Sequence, residues 1–279
     1  MYYYGARYYD PRISIFVSVD PLAESTMTPY QYVHQNPINL IDPTGMSAEG
    51  LSPIYGLDGK YLGNDENGFE GEVLFMDEKM YFFLGGRGNI DTNEKGTISH
   101  KDAKTFGRTL DQVITNDYAN NFDKNDINMV NNALTHIVSQ MDDAGSLVKD
   151  LHNGKTSAYF ADLRGPNDWY VQSANEGNRY KYGEGGSLNA PGYFNQVQKK
   201  FTFNLSSRIW RYEGNFTVGN IQNHAVHELL GHFRDKITGE GRGHVKAYDL
   251  QINHPTWKST TPNYRQETLG GRELQLLKK

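Results

Sequence analysis

The sequence predicts an α+β fold: a small β-rich N-terminal tail, then an α+β domain with an antiparallel sheet and a closing helix pair. Three observations carry this. Apolar residues recur at helical spacing before and after the middle of the chain. Between them lie short aromatic strands broken by Gly, Asn and Pro turns. The first 46 residues form a Tyr-rich block of different character.

That block carries Tyr2, Tyr3, Tyr4, Tyr8, Tyr9, Tyr30 and Tyr32, with Asp-Pro pairs at 10–11, 20–21 and 42–43. Residues 1–46 read as an aromatic meander with tight turns, whose exposed faces need a larger partner to cover them. Residues 47–86 are Gly-rich and alternating, as expected of a linker with a small β-element. The remaining residues, 87–279, are expected to form the main domain. Ser99, with Asp102 three residues on, is a capping-box-like start for a helix to about residue 116. Ile127, Val130, Leu134, Ile137, Val138 and Met141 share one stripe of a helix expected over 126–151. Residues 156–219 supply the sheet. Helices follow over 221–236, 244–253 and 262–277, the last capped by Thr261 with Pro262 in its first turn. Helices flanking a sheet in this order give the α+β class.

Composition excludes several functions. The net charge is −5 with no basic stripe, so no nucleic-acid partner is expected. There is no Cys, so a transition metal would have to be held by His, Asp or Glu. No apolar run reaches membrane-spanning length. The start MYYYGARYYD lacks a basic stretch and an apolar run, so no export signal of the chain's own is expected.

The densest cluster of metal-competent residues is HAVHELLGH, residues 224–232. His227 and His232 are five apart, about 140° from each other on a regular helix. A π-bulge would return both rings to one side, and Gly231 gives the backbone freedom for it. Glu228 would then stand beside the metal as a base for an activated water. A rival set, His224, Glu228 and His232, is spaced by four and lines one face of an undistorted helix, which would make Glu228 a ligand. Candidates for a third ligand are Glu240, His244, Asp249, His254 and Glu267. His244 is favoured, because a hairpin through the Gly-rich turn folds it back over the first helix. Tyr248, one turn beyond, could polarise a substrate carbonyl or simply pack. A second motif, DTNEKGTISHKD, places Asp91, Asn93, Gly96, Ile98 and Asp102 as in a calcium loop. Lys95 at a ligand position and Asp at the last argue against Ca2+ and for a loop that caps the next helix.

Residues 2–46, from YYYGARYYDPRISIFVSVDPLAE to PYQYVHQNPINLIDPTGM, resemble the end of the Rhs repeat-associated core of YD-repeat polymorphic toxins. The resemblance implies a bacterial protein, secreted or delivered into a target cell as part of a larger one, with a junction after Gly45 and Met46 and a variable effector beyond it. It also implies Asp20 and Asp42 as positions of an aspartyl self-cleavage site, the Rhs shell of the parent protein as a partner, and an immunity protein as another. The string HELLGH is similar to that of zinc peptidases related to dipeptidyl peptidase III. That similarity implies one zinc ion on His227 and His232, with Glu228 as the catalytic base and a protein or peptide substrate. The third ligand of those peptidases is a Glu in a later EExxxE-type helix; no such segment follows here, and the third ligand stays open. The alternative function is a non-catalytic Rhs tip that binds a partner or a surface.

Overall fold

The computed structural model describes residues 1–3, 7–19, 30, 32, 40–41, 49–50, 52–65, 71–86, 96–110, 112–113, 124–162, 170–173, 179–181, 190–212, 214–239 and 241–278. The chain is α+β, as its pattern predicts.

Strands β1 (Tyr2–Tyr3), β2 (Tyr8–Asp10) and β3 (Ile15–Phe16) form the antiparallel meander, with Tyr2 opposite Tyr9 and Tyr9 opposite Phe16. Phe16 is buried under Tyr9, Tyr32 and the Arg7 guanidinium, while Tyr2, Tyr3, Tyr8 and Ile13 are exposed. Asp20 and Asp42 lie outside the described residues.

After the short pair β4 (Leu40–Ile41) and β5 (Glu49–Gly50), strands β6 (Pro53–Tyr55), β7 (Tyr61–Asp65), β8 (Leu74–Phe75) and β9 (Gly96–Ile98) form a four-stranded sheet in the order β8-β6-β7-β9. Residues 47–86 are therefore more than a linker. Tyr55, Val73 and Phe75 are fully buried in the main core, and the Val73 amide donates to the Phe216 carbonyl at 2.9 Å. Glycine content suggested a spacer because it does not reveal which of the intervening apolar residues find tertiary partners.

Helix α1 (Glu78–Phe83) is capped by Asp77, and α2 (His100–Phe106) by Ser99, whose hydroxyl accepts from the Asp102 amide. Asp102 Oδ2 in turn accepts from the Ser99 hydroxyl at 2.7 Å. Residues 91–95 of the calcium-like loop lie outside the described residues. α2 stops at Phe106, short of the expected residue 116, because Arg108 exchanges backbone hydrogen bonds with Phe75 and is drawn into extended pairing. α3 (Lys124–Ser139) buries Ile127, Val130, Leu134, Ile137 and Val138 completely. Each such side chain contributes about 1.5–3 kcal/mol. The helix ends twelve residues before the expected 151, and a 3-10 turn, Gly145–Asp150, takes over. The apolar spacing ran on because Met141, Ala144, Val148 and Leu151 face the same core after the break. The chain turns at Gly145, where a Cβ would meet the Ser139 carbonyl oxygen at 2.6 Å.

Strands β10 (Ser157–Asp162), β11 (Tyr170–Ser173), β12 (Arg179–Lys181), β13 (Gly192–Asn195) and β14 (Lys200–Asn204) make a sheet in the order β12-β11-β10-β14-β13. The expectation of an antiparallel sheet needs correction, since β10 and β14 pair in parallel and the sheet is mixed. Sequence shows hairpins, which are local; the β10–β14 pairing joins two hairpins across the chain. Phe201 and Phe203 of β14 are buried against the C-terminal helices, which are α4 (Arg208–Arg211), α5 (Val218–Ala225), α6 (Arg242–Asn253) and α7 (Pro262–Leu277). α7 is capped by Thr261, which accepts from the Tyr264 amide.

Candidate metal centre

Thr217 caps α5, and the buried Ile221 and Ala225 hold that helix on the core. From Val226 to Arg234 the helix widens into π geometry, and the Asp235 amide bonds to the Leu230 carbonyl five residues back. A five-residue spacing thereby becomes about one turn. The rings of His227 and His232 come within 5.0 Å of each other, centroid to centroid. Gly231 lets α6 approach closely, since a Cβ there would lie only 3.0 Å from the Cβ of Ala247 on α6. The hairpin turns through Gly241, whose φ of +70° favours glycine and whose amide donates to Gln275 Oε1 at 2.8 Å. That turn starts α6 and carries His244 back to 5.1 Å from His227 and 4.8 Å from His232, again between ring centroids. One ligand atom from each of the three lies within 4.8 Å of the others, so the cluster could hold a metal ion.

The outer nitrogens decide which atoms face inward. His232 Nδ1 donates to the Ile237 carbonyl at 2.6 Å, and His244 Nδ1 to the Gly239 carbonyl at 3.0 Å. Carbonyl oxygens only accept, so in the neutral form of either ring the hydrogen sits on Nδ1 and Nε2 keeps a bare lone pair. His227 Nδ1 lies 3.0 Å from Gln251 Oε1, and its Nε2 is 3.1 Å from His244 Nε2. Burial holds His227 well below the usual imidazole range, reinforced by its neighbouring histidines, and it lowers His232 as well. Imidazoles whose outer nitrogens are anchored on carbonyl oxygens, so that the neutral rings turn their lone pairs inward, are a donor set that fits a divalent transition metal.

Glu228 is 3% exposed, and its Oε2 is buried without a hydrogen-bond partner. An unsatisfied buried polar atom costs about 1–3 kcal/mol. Burial pushes the carboxyl up to about 8. Its Oε1 lies 3.6 Å from Nε2 of His224, which burial, with His232 nearby, pulls down to about 3. Desolvation acts against both charges, so this is a neutral pair and not an ion pair. His224 sits among Phe201, Phe203 and Trp210 with ring centroids 5.6–5.9 Å away, and it lies outside the three-histidine cluster. Tyr248 packs its ring 4.6 Å from that of His227, and burial together with the charge of Glu228 raises its hydroxyl to about 12.

Of the other third-ligand candidates, Asp249 pairs with Arg272 at 2.7 Å and His254 with Asp143 at 3.0 Å. Glu267 is exposed, and none of these three belongs to the cluster. Glu240 lies outside the described residues. Sequence reasoning missed Gln251. The available signal was its position: His244, Tyr248 and Gln251 stand at i, i+4 and i+7, one face of α6. The Ile237 and Gly239 carbonyls left no signal, because any residue supplies a carbonyl.

No protein-family model matches the chain, and no solved structure matches it. Salivary gland surface protein 1 of Aedes aegypti is 42% identical to it over 65 residues, which cover 23% of this chain and 2% of that protein. The chain thus spans a small fraction of that relative.

Proposed function

We propose that this chain ends in a zinc-dependent peptidase domain, the effector of an Rhs-type polymorphic toxin whose shell precedes it. The observation that carries the reading is the convergence of His227, His232 and His244, achieved by a π-helix on the HELLGH segment. Three imidazoles leave a fourth position open, the arrangement that catalytic zinc sites use. A zinc ion there would supply Lewis-acid polarisation and a local positive charge that draws Glu228 back to the carboxylate. Glu228, with no hydrogen-bond partner on Oε2, takes the proton of the attacking water and passes it to the leaving amine. Tyr248 borders the same imidazoles and supports their packing. The resemblance of residues 2–46 to the Rhs core supplies the toxin context, with an immunity protein as the expected inhibitor, and the HELLGH similarity implies a protein or peptide substrate.

The test is zinc content and peptide cleavage, or toxicity on intracellular expression, in three variants. Glu228→Gln should abolish activity and keep about one zinc per chain. His232→Ala should lose both. His224→Ala should keep the zinc. Loss of zinc from Glu228→Gln would make Glu228 a ligand and favour the set with His224. A wild-type chain that holds no zinc when zinc is supplied, or that holds it and cleaves nothing, leaves the non-catalytic binding module as the reading.

A further inference from the structure

Each imidazole of the cluster has its Nδ1 anchored, but the three anchors differ in kind. Those of His232 and His244 are backbone carbonyls, which accept and never donate. The anchor of His227 is the side-chain amide of Gln251, which can do either. With Oε1 toward the ring, Nδ1 carries the hydrogen and Nε2 presents its lone pair to the cluster. With the amide turned over, its NH2 would donate to Nδ1. The ring hydrogen would then sit on Nε2, 3.1 Å from His244 Nε2, and would close the site to a metal.

Gln251 is 2% exposed and bonded along its length. Its Nε2 donates to the Tyr264 hydroxyl at 2.8 Å, and Tyr264 is itself hydrogen-bonded to Thr268. Its backbone carbonyl accepts from Asn223 Nδ2 at 2.9 Å, which ties α6 to α5. A line of contacts therefore runs from Thr268 and Tyr264 on α7, through Gln251, to a metal-ligand candidate.

We propose that Gln251 is a positioning residue: the orientation of its amide sets the tautomer of His227, and Tyr264 on α7 holds that orientation, so a helix that contributes no ligand governs metal affinity. The proposal rests on reading the three histidines as ligands. Substitution of such a supporting residue lowers metal affinity by about tenfold to a hundredfold.

The full chain is titrated with zinc against a competing chelator, alongside Gln251→Leu and Gln251→Glu. Leu matches the side chain roughly in size and neither accepts nor donates, so affinity should fall by about tenfold to a hundredfold. Glu presents an acceptor to Nδ1, so affinity should be kept or rise. Nitrogen chemical shifts of the metal-free protein should show His227 as the Nδ1–H tautomer in the wild type and in Gln251→Glu. Unchanged affinity in Gln251→Leu overturns the proposal, as does an Nε2–H tautomer in Gln251→Glu. If Gln251→Leu fails to fold, the tautomer in the other two proteins decides the matter. A wild-type chain that binds no zinc would instead bring down the metal centre itself, and that failure shows before any variant is compared.

Discussion

Gly231→Ala separates the assembly of the site from its chemistry. A Cβ at position 231 would lie 3.0 Å from the Cβ of Ala247 and 3.4 Å from its Cα. Carbon atoms rest at about 3.5–4.0 Å, so the π-helix and α6 must part by roughly half an ångström to one ångström. Overpacking of this kind costs about 1–3 kcal/mol. Ala returns roughly 0.5–1 kcal/mol of that through its better helix propensity than Gly. The fold should therefore lose no more than about 2.5 kcal/mol. The metal should suffer more, because ligand distances tolerate only about 0.2 Å of error and His244 travels with α6. Zinc affinity is expected to drop by at least about tenfold, the equivalent of 1.4 kcal/mol. Adding Ala247→Gly removes the opposing methyl and should recover most of that loss. Competition titration reads the affinity, and thermal melting in chelator reads the fold. A Gly231→Ala chain that binds zinc as tightly as the wild type would refute the packing argument, as would a double variant that recovers nothing.

Two further outcomes follow from burial. In chelator, stability should peak near pH 6.5. Below it His224 stays neutral in the fold until about pH 3 while the unfolded chain takes up the proton near 6.5, and His227 and His232 are shifted in the same direction. Between its unfolded and folded pKa such a histidine removes up to about 1.4 kcal/mol per pH unit as the pH falls, a window that for His224 runs from about 6.5 to about 3. Glu228 acts oppositely: its folded carboxyl, at about 8, holds a proton that the unfolded one releases above 4.5, so its contribution is lost as the pH rises through 8. One carboxyl offsets only one imidazole, so the acid side should still fall. Urea midpoints that stay level or rise from pH 6.5 to 4.5 would contradict this. A chain starting at residue 87 should fail to fold, because it lacks Tyr55, Val73 and Phe75, each about 1.5–3 kcal/mol of burial, whereas one starting at 47 should fold. Circular dichroism of the two fragments checks this, and a folded shorter fragment would restore the linker view of 47–86.

The parts of the fold that were legible in the sequence are those set by near neighbours. The α3 stripe, the Ser99 and Thr261 caps and the three C-terminal helices follow from spacing and capping chemistry, and all are present. The parts that were not depend on distant partners: the end of α2 is fixed by Phe75, the parallel β10–β14 pairing by chain crossing, and the place of 47–86 by shared core. The candidate site shows the same division. A five-residue histidine spacing with a glycine just before the second histidine pointed to a widened helix, and a widened helix is found there. The anchors of the imidazoles did not announce themselves, since two are carbonyls and the third is a glutamine with no motif around it.

All three imidazoles come from one continuous helical hairpin, between His227 and His244. A loop this short closes at little entropic cost and on a fast timescale, well before the β10–β14 pairing, which must bring together segments that are distant along the chain. An ion held by these three imidazoles would therefore not have to wait for the finished fold: the hairpin would grip it while the sheet is still unformed, and the energy of that grip would count toward completing the rest of the domain.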